Sequence, residues 1–225
     1  MRPGLVIFDC DGVLVDTETV ANKLLAELVT ALGVPMDYRE AQRRFMGRTM
    51  ETIHPIVEEL TGRRLPVGWA DEVREKTLLE FEKGVEAIKG IEEVVATLKE
   101  AGVPYCVGSS GKYSKMHVTL GKSGLLPLFE DVLFSAEDCR EGKPAPDIFL
   151  YAASGMGRKP EDCVVIEDSV AGVQAAKAAG MRVLGFTGDP EADDEAMQAA
   201  GAELFADMAD LPRLLRLDRL ELGVC

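Results

Sequence analysis

The chain has 225 residues, 47% of them hydrophobic and 28% charged, enough to bury one good core and leave room for a smaller second module. Its 39 acidic and 25 basic residues give a formal charge of -14, which argues against a nucleic-acid surface or an anionic membrane and requires any phosphate ligand to be met by a locally placed cation. No stretch reaches the roughly 20 consecutive apolar residues of a membrane span, and no positive-then-apolar export signal precedes Asp9, so a cytoplasmic protein is expected.

Leu5 to Phe8 is a short run rich in β-formers, the pattern of a strand buried on both faces in the middle of a parallel sheet. It gives way at once to Asp9-Cys10-Asp11. In open α/β sheets ligands bind beyond the carboxyl ends of the strands, so two carboxylates there point to chemistry. Alternation puts Asp9 and Asp11 on the same side if the chain stays extended. Such close anions raise each other's pKa unless a cation intervenes, which predicts a bound metal or one carboxyl kept protonated as a proton donor; capping of a following helix is the plainer alternative. Cys10 has no nearby His and reads as packing, and the five cysteines, odd in number and without a C-x-x-C pair, read mostly as reduced core residues.

From Asp16 to about Gly90 the pattern is helical throughout. Residues 17–32 carry Val20, Leu24, Leu25, Leu28 and Leu32 at helical spacing and end at Gly33, with Pro35 just beyond. Residues 40–45, 50–60 and 69–81 supply three more helices. Pro55 fits only in a first turn or at a kink, so the helix that contains it is expected to begin near Thr52. Residues 17–88 therefore read as a separate helical module, with Trp69 as a packing anchor. His54 and His117 are the two histidines of the chain, and both read as surface or packing residues.

After a helix over 91–101, apolar runs at 104–107, 131–134, 163–166, 182–186 and 202–205 alternate with helical stretches at 112–123, 147–153, 169–179 and 191–200. A last helix is expected near 211–217, and residues 218–225 carry no periodicity. Strands alternating with helices imply right-handed crossovers and a parallel sheet covered on both faces. The fold class is α/β: a Rossmann-like parallel-sheet core from residues 1–16 and 89–225, with an inserted all-helical domain from 17–88.

Three further strand ends complement the first. Gly108-Ser109-Ser110-Gly111 offers hydroxyls on a flexible backbone, suited to a phosphate oxygen but also ordinary loop chemistry. Gly142-Lys143-Pro144-Ala145-Pro146-Asp147 holds Lys143 on a loop stiffened by two prolines, a better anion clamp than a mobile lysine, although a solvated loop lysine fits equally well. Ile166-Glu167-Asp168-Ser169 places a second acidic pair at a strand end, with helix capping by Asp168 or Ser169 as the alternative. Several carboxylates beside one lysine need a divalent cation, and hard oxygen donors with open positions suit Mg²⁺ completed by water and substrate phosphate. Zinc would want His or Cys, and neither is placed for it.

With these segments in this order, the chain resembles the haloacid dehalogenase superfamily of phosphotransferases over nearly its whole length. The matching stretches are Asp9-Cys10-Asp11-Gly12-Val13-Leu14-Val15-Asp16-Thr17-Glu18, Ser109-Ser110, Gly142-Lys143-Pro144-Ala145-Pro146-Asp147 and Val165-Ile166-Glu167-Asp168-Ser169-Val170-Ala171-Gly172. The resemblance implies that Asp9 is the nucleophile that forms an aspartyl-phosphate and that Asp11 is the general acid and base. It implies that Ser109 and Lys143, with Ser110 in the same loop, hold the phosphoryl oxygens. Mg²⁺ would be bound by the Asp9 side chain, the Asp11 backbone carbonyl and Asp168, with Glu167 near or in the shell.

The helical insertion resembles the small mobile cap of the branch that contains phosphoglycolate phosphatase-like enzymes and β-phosphoglucomutase. That likeness implies a hinge at Thr17 and Glu18. It also implies that Phe45-Met46-Gly47-Arg48-Thr49-Met50 faces the site, with Arg48 reading the polar part of the substrate. The mutase of this branch needs a cap histidine where Ala21 stands and basic residues where Met46 and Met50 stand, so hydrolysis is favoured. Dehalogenases of the superfamily lack the second aspartate, so Asp11 argues against them. A phospho-receiver domain, a reading from another class, has neither the helical insertion nor the second acidic pair. The expected function is Mg²⁺-dependent hydrolysis of a small phosphate monoester, a sugar phosphate or similar metabolite, with no nucleic-acid or membrane partner.

Overall fold

The computed structural model describes residues 2–45, 48–189 and 192–217. Met46 and Gly47, Glu191 at the start of the helix expected over 191–200, and the tail 218–225 lie outside the described residues. In chain order the elements are β1 (Leu5–Phe8), α1 (Thr17–Ala31), α2 (Tyr38–Phe45), α3 (Met50–Thr61), α4 (Trp69–Lys83), α5 (Ile91–Glu100), β2 (Tyr105–Ser109), α6 (Tyr113–Lys122), α7 (Leu126–Phe129), β3 (Leu133–Ser135), α8 (Asp147–Gly155), β4 (Cys163–Glu167), α9 (Val170–Ala178), β5 (Arg182–Phe186), α10 (Asp194–Ala199), β6 (Glu203–Phe205) and α11 (Leu211–Leu214).

The strands form one parallel, Rossmann-like sheet of order β3-β2-β1-β4-β5-β6. Val6 and Phe8 enter one apolar core with Val107, Ile166 and Leu184, while Leu5 and Ile7 enter another with Cys106, Val165 and Val183. A strand buried on both faces needs an apolar side chain at every position, and all four residues of β1 are fully buried. α7, which has no counterpart in the sequence reading, buries Phe129 edge-on against Phe8 at 6.2 Å.

The strand ends extend further than apolar character suggests. Ser109 pairs with Ser135 and Glu167 with Gly185, so both polar residues sit within the ladder and not on loops. β3 starts at Leu133 and not at Asp131, because residues 130–132 form a turn of 3₁₀ helix.

α1 to α4 all fall between β1 and β2 and share an apolar cluster of their own, which includes Leu25, Val29, Phe45, Ile53, Val57, Trp69 and Val73. The His54 ring meets Trp69 edge-on at 5.7 Å, a packing contact. α3 corrects an expectation: it begins at Met50 behind the N-cap Thr49, not near Thr52, and keeps Pro55 inside it. Pro55 has no N–H for the Glu51 carbonyl, but that turn is exposed, so water can serve the carbonyl.

The chain leaves the sheet and returns along paired segments. The Asp16 amide donates to the Glu86 carbonyl and the Ile88 amide to the Leu14 carbonyl, each at 2.9 Å, around an antiparallel Val15–Ala87 bridge. None of the described helices is long and apolar enough to cross a membrane.

Candidate active site

From β1 the chain moves one way to β2 and β3, then crosses to β4 on the other side of β1, so the strand order reverses between β1 and β4. That crevice is where open α/β sheets bind ligands. The Asp9 amide donates to the Ile166 carbonyl at 2.9 Å, which sets Asp9 beside the end of β4. Lys143 Nζ donates to Asp9 Oδ1 at 2.6 Å and to Glu167 Oε1 at 2.7 Å. The side chains are 7%, 10% and 1% exposed for Lys143, Asp9 and Glu167, so this is a buried charge triad and not a surface pair. The ammonium also lies 4.9 Å from the centre of the Phe149 ring. Lys143 is therefore not a solvated loop residue.

Glu167 is committed at both oxygens, since its Oε2 accepts from the Ser169 amide at 2.7 Å and the Ser169 hydroxyl at 2.9 Å. A Cβ on Gly172 would lie 1.8 Å from Oε1, so the first turn of α9 has to be bare there. Glu167 thus anchors Lys143. Asp168, half-buried, makes no hydrogen bond or ion pair among the described residues.

Burial pushes the Asp9 carboxyl up to about 7, against the pull of Lys143, and Glu167 and Asp11 add to the rise. Asp168 is held well above the usual carboxylate range, first by burial and then by Glu167 and Asp9. Burial works against the Lys143 ammonium, but Asp9 and Glu167 outweigh it and hold its pKa above the usual value. Asp9, Glu167 and Asp168 each bring a carboxylate oxygen within 4.8 Å of the others. Three carboxylates facing one ammonium leave surplus negative charge, and oxygen-only donors fit a divalent cation. With Glu167 committed, Asp9 Oδ2 and the Asp168 carboxylate are the oxygens open to it.

Gly12 makes room for this arrangement. Its φ is +76°, and a Cβ there would lie 1.9 Å from Asp168 Oδ2. Gly12→Ala is expected to displace Asp168 and weaken Mg²⁺ binding by about tenfold or more in calorimetry, with a folded circular-dichroism spectrum retained. Unchanged affinity would mean that Asp168 does not share in holding the metal.

The chain does not stay extended past Asp9, so the expected alternation gives way to a turn. The Leu14 and Val15 amides donate to the Cys10 carbonyl and the Gly12 amide to the Val15 carbonyl. Asp11 therefore finds its own partners: Thr17 Oγ1 donates to its Oδ1 at 2.9 Å and Lys115 Nζ to its Oδ2 at 2.8 Å. Lys115 is absent from the sequence reading, and its one signal was its place in the first turn of the helix after a polar strand end. Burial, and then Asp11 and Asp9, push the Cys10 thiol well above its ordinary pKa, which leaves it a buried packing residue.

Ser109 is buried at the end of β2, and its Oγ accepts from the Gly111 amide at 2.9 Å. Ser135 at the end of β3 steadies this loop by donating to the Gly111 carbonyl at 2.8 Å. Ser110 lies on the exposed side of the loop.

Two cavities flank the carboxylates. One, of about 370 Å³, is lined by Asp11, Glu18, Ala21, Met50, Phe81 and Lys115 among others. The second, of about 550 Å³, reaches Gly12 and Asp168 and is acidic, with Asp16, Glu18, Asp189 and Asp207 on its walls. Glu18 lies on both, and burial followed by the charge of Asp11 raises its pKa. Arg48 and Thr49 are exposed and line neither cavity; Thr49 caps α3 instead. Gly47 lies outside the described residues.

A family model for haloacid dehalogenase-like hydrolases matches residues 3–180. The 6-phosphogluconate phosphatase of Escherichia coli (strain K12) is 34% identical over 210 residues, 93% of either chain. Among solved structures, a conserved haloacid dehalogenase-like protein from Agrobacterium tumefaciens str. C58 superposes with a TM-score of 0.84 at 36% identity, covering 95% of this chain and 97% of that one. A HAD family hydrolase from Deinococcus radiodurans R1, solved with bound phosphate and sodium, also gives 0.84, at 29% identity and 96% coverage of both chains.

Proposed function

The chain belongs to the haloacid dehalogenase-like hydrolases, and from that premise we propose that it is a Mg²⁺-dependent phosphatase of small sugar-phosphate-like monoesters that works through an aspartyl-phosphate on Asp9. The observation that carries this reading is the buried Asp9–Lys143–Glu167 triad beside Asp168, at the point where the strand order reverses.

Lys143 and the Ser109 hydroxyl take phosphoryl oxygens and hold phosphorus in line with Asp9. Asp9 attacks as the ester bond breaks, and Asp11 gives its proton to the leaving oxygen. Asp11 then takes a proton from water as the acyl-phosphate is hydrolysed. Asp9, the Asp11 backbone carbonyl and Asp168 hold Mg²⁺, which when bound supplies the charge neutralisation that lets an anionic ester approach an anionic nucleophile. Glu167 keeps Lys143 in place throughout.

Residues 17–88 form a cap on a core of 1–16 and 89–225, hinged at the paired segments around Val15 and Ala87, and its closure excludes water from the phosphoryl transfer. Ala21 and Met50 on the wall beside Asp11 favour hydrolysis over a mutase, because neither can grip a second phosphate there. A cavity of about 370 Å³ suits a small ester.

The test is phosphate release from a panel of sugar phosphates, sugar-acid phosphates and p-nitrophenyl phosphate, compared as kcat/KM with Mg²⁺ and with chelator. Mg²⁺-dependent release from several small esters is expected. No release from any of them would defeat the reading.

A further inference from the structure

We propose that Lys115 is a positioning residue for Asp11, holding Oδ2 as a pivot so that Oδ1 carries the proton. The proposal rests on the phosphatase reading above. Asp11 is tethered at both oxygens, by Thr17 Oγ1 from the first residue of α1 and by Lys115 Nζ from the first turn of α6. The two tethers differ in kind. The Thr17 hydroxyl is a neutral donor that an ester oxygen can displace, whereas the Lys115 ammonium is a charged donor and the stronger tether.

Asp11 is the carboxylate that Lys115 pairs with. α6 contains no acidic residue, so the lysine has no partner along its own helix and reaches a carboxylate 104 residues away in the chain. Its side chain is 28% exposed, and the Phe81 ring of α4 covers the ammonium at 5.4 Å from the ring centre. Burial works against the Lys115 charge, and Asp11 overcomes it. The phosphoryl clamp is already supplied by Lys143, which grips Asp9 and Glu167.

A carboxylate free at both oxygens rotates about two side-chain torsions; one pinned at Oδ2 presents Oδ1 in a narrow range of directions. In the first step a bond forms between the Asp9 oxygen and phosphorus while the bond from phosphorus to the alcohol oxygen breaks. The alcohol oxygen keeps the electron pair and takes the proton from Asp11 Oδ1. In the second step water adds to phosphorus, the bond to Asp9 breaks, and Oδ1 recovers a proton from the water, which balances the cycle.

The experiment is a double-mutant cycle over wild type, Lys115→Met, Asp11→Asn and the double variant, assayed on an alkyl phosphate and on p-nitrophenyl phosphate. Lys115→Met is expected to lower kcat on the alkyl ester about tenfold, part of the full acid–base contribution. KM should stay within about twofold, as for an interaction that matters in the transition state. The loss should shrink on p-nitrophenyl phosphate, whose leaving group needs little protonation, and vanish in the Asp11→Asn background. Lys115→Arg should restore most of the rate and serves if the methionine variant does not fold. Additive losses, or a raised KM with unchanged kcat, would overturn the proposal while leaving the phosphatase reading intact. A wild-type protein that releases no phosphate would overturn both.

Discussion

Asp9→Asn is expected to release no measurable phosphate from any ester and to carry no label after acid quench with radiolabelled substrate, a loss of about 10⁴-fold or more. The amide cannot act as the attacking oxyanion. It also removes a carboxylate that burial already disfavours in its charged form, while Glu167 continues to hold Lys143. The variant should therefore melt no lower than wild type in the absence of metal, which separates lost chemistry from lost fold. Turnover within tenfold of wild type would show that phosphorus is attacked by something other than Asp9.

Lys143→Met is expected to damage stability as well as rate. Removing the lysine leaves Asp9 and Glu167 facing each other out of water with no cation between them, and breaking a buried pair in this way costs about 3–5 kcal/mol. The cost should depend on pH. In the metal-free wild type the Asp9 carboxyl is at about 7 in the folded chain against an ordinary 3.8, so between those values the folded state binds the proton more tightly than the unfolded one. Stability from this group therefore falls as pH rises through that window. Without Lys143 the folded-state value rises further, so this part of the deficit should be largest at about pH 8 and shrink as pH falls through about 7, below which folded Asp9 is protonated with or without the lysine. Urea denaturation in chelator at several pH values measures it. A variant as stable as wild type at about pH 8 would mean that the triad is not the charge cluster described.

Asp9 and Asp11 are legible in the sequence as a pair, but not as residues with separate partners. Alternation along an extended strand predicts one shared environment; the turn that Gly12 permits instead sends Asp9 to Lys143 and Asp11 to Lys115. Arg48 and Thr49 show how little polarity alone says about position. A polar residue in a helical insertion looks available for substrate recognition; here both stand exposed in the segment before α3, and Ala21, Met50 and Phe81 form the wall beside Asp11. Pro55 was misread for a local reason, because an exposed turn tolerates the missing hydrogen bond that a buried one would not.

The sequence by itself determined the sheet, the segments at its strand ends and the family, because strand burial and polar strand ends are written in consecutive residues. Tertiary structure alone decided that Glu167 anchors Lys143, that Gly12 and Gly172 stay bare to admit carboxylates, and that Lys115 takes Asp11. These contacts join side chains up to 104 residues apart, and strand order and helix rotation set them. Local periodicity carries neither, so a lysine bound to a carboxylate in the crevice reads in sequence like one bound to water.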